Sequence, residues 1–269
     1  MSLKLVSPQT SRVFVCVSCH AEHADRELVC PECGAEECVV ERETQVSDLE
    51  TSTKRPRARA ALSISQTPPK RIKTGRIAWD TALGGGFVRP SSTLVYGPPG
   101  VGKSTSLLRI GCHVARQLGG LALYGSAEMP AEHLRELATK IKIPSKELAC
   151  LYVQDSPDFE DMLQDIEDLE PTVIIFDSVQ RYRWEGSLGE TELRNVVTTA
   201  IEVGKELRAV TLLISQVTKD DVFVGERGMA HNVDVEIVLR SAGKGLVGID
   251  CPSKNRFAAT PLGAIESLY

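Results

Sequence analysis

The sequence predicts an α/β fold with a mainly parallel sheet, joined to a small cysteine-bearing unit. Three observations predict it. Beyond residue 76, short β-branched runs alternate with amphipathic stretches. One such run is followed by a glycine-rich turn that opens an apolar helical pattern. Near the start, four cysteines fall in two C-x-x-C pairs. Strand–helix alternation favours a parallel sheet covered by helices, and 269 residues suffice for one such domain plus an appendage.

Cys16-Val-Ser-Cys19 and Cys30-Pro-Glu-Cys33 give the spacing C-x2-C-x10-C-x2-C. Two such knuckles let four thiolates converge tetrahedrally on one Zn²⁺. The segment between them is too short and polar to bury a core, so metal binding would supply its folding energy. A redox pair would call for a thioredoxin-like βαβ context, which this region lacks. The expected zinc knuckle spans 11–40. Cys38, Cys112, Cys150 and Cys251 read as ordinary thiols.

Residues 41–75 are polar and rich in Ser, Thr and Pro, with no sustained apolar period, and read as a flexible linker. The formal net charge of −5 argues against a nucleic-acid binder, but the average conceals an asymmetry. Residues 54–76 hold Lys54, Arg55, Arg57, Arg59, Lys70, Arg71, Lys73 and Arg76 with no acid among them. The chain shows neither an apolar run long enough for a membrane span nor a secretory signal pattern, so a cytoplasmic location is expected.

The main domain is expected over 76–269. Runs 93–96 (TLVY), 121–124 (LALY), 172–176 (TVIIF) and 209–215 (AVTLLIS) read as buried parallel strands. Between them, 158–169 places Phe159, Met162, Leu163, Ile166 and Leu169 on one helical face. Pro130 opens a second helical pattern over 130–142, and 190–208 reads as a third. From about 233 the chain reads as strands alone, expected to add antiparallel to the sheet edge.

Gly97-Pro98-Pro99-Gly100-Val101-Gly102-Lys103-Ser104-Thr105 is G-x-x-x-x-G-K-[ST] between a strand and a helix. Backbone N–H groups of such a loop close around phosphate oxygens. Lys103 is expected to reach the β- and γ-phosphates of ATP, and the Ser104 hydroxyl to ligate Mg²⁺. Asp177, ending a hydrophobic strand, is placed to hold Mg²⁺ indirectly, behind its inner ligands. Glu128, just past 121–124, would polarise the attacking water; its other reading is a charge complementing a helix N-terminus. Gln216 directly follows 209–215 at the strand's end, where an amide can report the γ-phosphate to the next loop.

Ligands of open α/β sheets gather at the carboxyl ends of strands. Two loops leave those ends. Arg181, Tyr182, Arg183 and Trp184 interleave cations with aromatics, the chemistry of single-strand binding; the competing reading is that Tyr182 and Trp184 pack inside the fold. The loop 217–232 offers Lys219 and Arg227 as further cations.

Together these parts resemble the RecA superfamily, and most closely its RadA (Sms) branch of DNA repair and recombination ATPases. Leu83-Gly84-Gly85-Gly86-Phe87-Val88 resembles that family's LGGGLV. The stretch Leu123–Glu128 resembles LYVSGEES, which implies that Glu128 is the catalytic glutamate. Asp177-Ser178-Val179-Gln180 resembles DSIQ. Val217-Thr218-Lys219 resembles HVTK, with Gln216 in place of His. His231-Asn232-Val233-Asp234 resembles HMVD, and Lys254-Asn255-Arg256-Phe257 resembles KNRFG, with Ala258 for the last glycine. The resemblance implies a RecA-like P-loop ATPase core with antiparallel C-terminal strands and an N-terminal four-cysteine zinc knuckle. It implies ATP, Mg²⁺ and Zn²⁺ as cofactors, single-stranded or branched DNA as partner, a hexameric ring, and a cooperating recombinase. Lys254 and Arg256 would couple hydrolysis to DNA, from a neighbouring subunit's nucleotide or from DNA itself. The family's Lon-protease-like C-terminal domain is expected to be missing, since the sequence stops at Tyr269. A different class remains open: a KaiC-like regulatory ATPase acting on a protein.

Overall fold

The computed structural model describes residues 11–16, 22–23, 29–30, 35, 39–44, 68–184, 190–216, 231–259 and 263–268. The chain divides into two units, 1–67 and 68–269. In the first, β1 (Ser11–Cys16) pairs antiparallel with both β2 (Glu22–His23) and β3 (Val39–Thr44), giving a three-stranded sheet in the order β2-β1-β3. Cys16 lies opposite Val39 in that register. The strand pairing runs past residue 40, the expected limit of this unit.

In the second unit, eight strands form one sheet in the order β11-β10-β9-β4-β8-β7-β5-β6. The members β4 (Ser91–Gly97), β5 (Ala122–Ser126), β6 (Leu151–Gln154), β7 (Val173–Asp177), β8 (Val210–Gln216) and β9 (Val235–Gly243) run parallel. β10 (Leu246–Asp250) and β11 (Ala264–Ser267) add antiparallel. Sequence reasoning expected β9 to be antiparallel too. It pairs parallel with β4, Thr93 opposite Val235, because the chain returns to the sheet's entry end before starting it. The edge strand β6 was not anticipated, as only one of its four residues is buried.

Alternation along the buried strands feeds two cores. Val95, Val173, Ile175 and Ile237 face α1 (Ile77–Ala82), α2 (Lys103–Leu118) and α3 (Ala131–Lys140). A short α4 (Ser145–Leu148) precedes β6. Leu94, Ile174, Phe176 and Leu213 face α5 (Phe159–Leu169) and α6 (Glu190–Glu206). The result is helix, sheet, helix, as expected when both faces of a parallel sheet are apolar. Helix limits follow local chemistry. Asp158 caps α5 by accepting from the Glu160 N–H at 2.9 Å. α2 ends at Gly119, φ 68°, whose N–H returns to Ala115 and Arg116 carbonyls.

The domain also begins earlier than expected. Ile72 is buried and exchanges backbone hydrogen bonds with Phe87. Arg71 donates to the carbonyls of Leu83, Gly86 and Phe257. Arg76 pairs with Glu266 and Lys73 with Asp80. Residues 68–75 are therefore domain wall, and part of the charge assigned to a linker is engaged in structure. No helix among the described residues is long and apolar enough to cross a membrane.

Candidate functional site

Parallel strands deliver their carboxyl ends to one rim, and five candidate residues meet there. The loop 97–102 joins β4 to α2. Gly100 sits at φ 76°, a left-handed angle that side chains avoid. Lys103, at the first turn of α2, is buried, and its Nζ donates to the Gly97 and Pro98 carbonyls at 2.7 and 3.1 Å. Burial holds the ammonium below its ordinary pKa, opposed by the charges of Asp177 and Glu128.

Asp177, ending β7, accepts from the Tyr124 hydroxyl at 2.5 Å. Burial raises its pKa, against the lowering effect of hydrogen bonds from Ser104 and Tyr124. A carboxylate joined to the hydroxyl that follows the loop lysine suits a magnesium site, with Ser104 as inner ligand. Tyr124 was missed in the sequence because a Tyr inside an apolar run reads as core.

Glu128 lies two residues past β5. Its Oε1 accepts from Ser178 Oγ at 2.7 Å, Gln216 Nε2 at 3.0 Å and Arg181 Nε at 3.1 Å. All three of these bonds reach the same oxygen. The carboxyl ends of β5, β7 and β8 are thus tied together through one atom. Ser178 and Arg181 were not foreseen as its partners.

The aromatic loop departs from expectation. Tyr182 is 4% exposed, packed edge-on against Phe159 and Phe176 at centroid distances of 5.7 and 5.8 Å. Trp184 is partly buried, 5.0 Å from Phe159. The Tyr182 ring is part of the core under α5 and offers no free face for a base, while Trp184 packs against that core with part of its surface exposed. Arg181 and Arg183 are exposed. Lys219 and Arg227 lie outside the described residues.

Lys254 and Arg256 occupy the opposite rim. Asn255 bridges Val235, level with Thr93 where β4 begins; four residues separate that level from Gly97, ~13 Å along a strand. Lys254 Nζ donates to His231 O at 2.7 Å, and Arg256 pairs with Asp234 at 3.1 Å. Asp234 Oδ2 also accepts from Ser92 N and Oγ, each at 2.9 Å. Asn255 accepts from the Phe257 and Ala258 N–H groups and donates to Leu83 O, fixing the turn against Gly84.

In the N-terminal unit Cys16 and Cys30 are buried, and the Cys30 N–H donates to Ala35 O at 2.9 Å. Cys19 and Cys33 lie outside the described residues. Among the described residues no group of three or more His, Cys, Asp or Glu side chains gathers as a metal site.

A family profile described as an AAA domain matches residues 58–222. The chain is 34% identical over 209 residues to the DNA repair protein RadA of Mycobacterium tuberculosis, covering 75% of this chain and 43% of that protein. It is 30% identical over 256 residues to RadA of Aquifex aeolicus, covering 92% and 55%. RadA of Pseudomonas aeruginosa is 27% identical over 264 residues, covering 93% and 56%. The chain belongs to the AAA-domain family, on the RadA branch of the RecA superfamily. It spans about half the length of the curated relatives it matches.

Proposed function

We propose that this chain hydrolyses ATP and couples that hydrolysis to single-stranded or branched DNA in recombination and repair. The observation that carries the reading is Glu128 held by Ser178, Arg181 and Gln216 on the same rim as Lys103 and Asp177. Lys103 and the N–H groups of 97–105 cradle the phosphates. Ser104 and Asp177 would hold magnesium, which neutralises phosphoryl charge when bound. With Oε1 occupied, Glu128 presents Oε2 to the attacking water and takes its proton. Gln216 donates to that oxygen and is the last residue of β8, so a change at the γ-phosphate is passed from it to the residues that follow, Lys219 and Arg227 among them.

Lys254 and Arg256 sit at the far rim from their own chain's phosphate loop. They act on a neighbouring subunit's nucleotide within a ring, or on DNA. As a trans arginine finger, Arg256 would contribute about 10³-fold or more. Cys16, Cys19, Cys30 and Cys33 bind zinc in the N-terminal unit, which metal quantitation on the purified chain tests. Arg181, Arg183 and the exposed part of Trp184, rather than the buried Tyr182 ring, are the groups of this loop that meet DNA.

Steady-state ATP hydrolysis with and without oligothymidylate, beside Lys103→Ala, tests the reading. Stimulation by the oligonucleotide, abolished in the variant, is expected. Hydrolysis that depends on Lys103 yet ignores DNA at every salt concentration would overturn the DNA assignment and leave a protein-directed regulatory ATPase.

A further inference from the structure

On the rim opposite the phosphate loop, where β4 and β8 begin, lies a cavity of about 430 Å³. Its wall holds four cations: Lys70, Arg71, Arg89 and Arg208. Among the described residues, none that lines it is acidic. Arg71 is occupied by the three carbonyls described above. Arg89 donates Nε to Arg208 O at 2.6 Å, which brings two guanidinium-bearing residues together without a carboxylate in the wall. Burial, and then the Arg208 charge, hold Arg89 below its ordinary pKa. The side chain of Lys70 is exposed at the mouth.

The backbone at Arg208 determines which substitution can test this cavity. Arg208 follows α6 at φ 54°, the left-handed position where helices usually place glycine. A residue with a Cβ is strained at that angle. Helix C-termini do favour cations, and this accounts for the Arg89 bond to the Arg208 carbonyl. Lys142 and Glu170 also follow helices at left-handed angles, so the angle marks a helix end; what sets Arg208 apart is the cavity it lines with Arg89 and Lys70.

We propose that this cavity binds one nucleotide unit of a nucleic-acid strand, its phosphate held by Arg89, Arg208 and Lys70. The volume suits a single nucleotide. The remaining wall is Ile72, Leu118 and the Pro69 ring, which match a sugar or base face beside the phosphate, and the polar Gln117. This inference rests on the DNA reading above, and adds a contact remote from the nucleotide rim.

Fluorescence anisotropy of labelled oligothymidylate with the full chain, over a salt series, tests it. Arg208→Gly relieves the backbone and removes the charge, so it melts at or above the wild-type temperature. Lys70→Gln alters only an exposed side chain. Together they are expected to weaken binding on the order of ten-fold at low salt and to lower the log–log salt slope by ~0.7, the share of one phosphate on a single strand. Wild-type affinity and slope in the double variant would overturn the pocket while leaving DNA binding intact. A wild-type chain that binds no oligonucleotide would remove both readings. Thymidine monophosphate bound in a variant-sensitive way, with strand binding unchanged, would also overturn the proposal by assigning a free nucleotide instead.

Discussion

Replacing Asp234 with alanine is expected to destabilise the main domain by about 3 kcal/mol, the balance of the bonds lost and the burial relieved. Asp234 is 6% exposed and Ser92 is 1% exposed. One carboxylate oxygen satisfies both the Ser92 N–H and its hydroxyl, and the other meets Arg256. Truncation orphans a buried backbone donor, which costs about 1–3 kcal/mol, and removes charge-assisted bonds worth about 1.5–3 kcal/mol. Relief from burying the carboxylate offsets part of this. For a domain of this size the loss lowers Tm by roughly 6–12 °C. Arg256→Ala removes the other end of the same ion pair, but its side chain is 52% exposed, so the cost is about 0–1 kcal/mol. Far-UV circular dichroism melts of both variants give the comparison. Equal losses, or an Asp234→Ala chain that melts with wild type, would refute the assignment of Asp234 to structure and Arg256 to function.

Further outcomes follow from other contacts. A Cβ on Gly84 would lie 2.3 Å from the Ala258 Cβ, and Gly84 sits at φ 71°; Gly84→Ala should cost about 1–3 kcal/mol. Adding Ala258→Gly should recover the steric share alone, read as a double-mutant cycle in urea melts. The Tyr182 hydroxyl is buried with no hydrogen-bond partner among the described residues, so Tyr182→Phe should match or exceed the wild-type Tm in thermal melts, whereas a lower Tm would show that the hydroxyl has a stabilising partner. Burial raises the Asp177 carboxyl. A raised carboxyl favours the folded chain at low pH, and that advantage is lost as pH rises through its folded value. Asp177→Asn should therefore melt above wild type at neutral pH, with the gap closing toward acid, while hydrolysis collapses; a gap that widens toward acid would reverse the sign.

The parts of the fold that were legible in the sequence are those written in local pattern. The phosphate loop, the buried strands and the amphipathic face of α5 depend on neighbours a few residues away. What stayed hidden depends on distant partners. Arg71 looked like linker charge because its acceptor at Phe257 lies 186 positions on. Asp234 looked like a motif residue until Ser92, 142 positions earlier, supplied its donors. Arg and aromatic residues at 181–184 suit DNA and core equally well by composition; Phe159 and Phe176 decide for core at Tyr182. Strand direction at β9 was misread because an isolated strand carries no sign of which way its neighbour runs.

The last described residues have a mechanical consequence. Arg76 grips β11 through Glu266 and the Ser267 carbonyl, and Leu268 rests where a Cβ on Gly102 would sit, 2.6 Å away. The segment entering the domain and the hinge of the phosphate loop therefore share one short beam. A side chain added at Gly102 would press on the end of the strand that Arg76 holds, beside the turn that precedes Lys103.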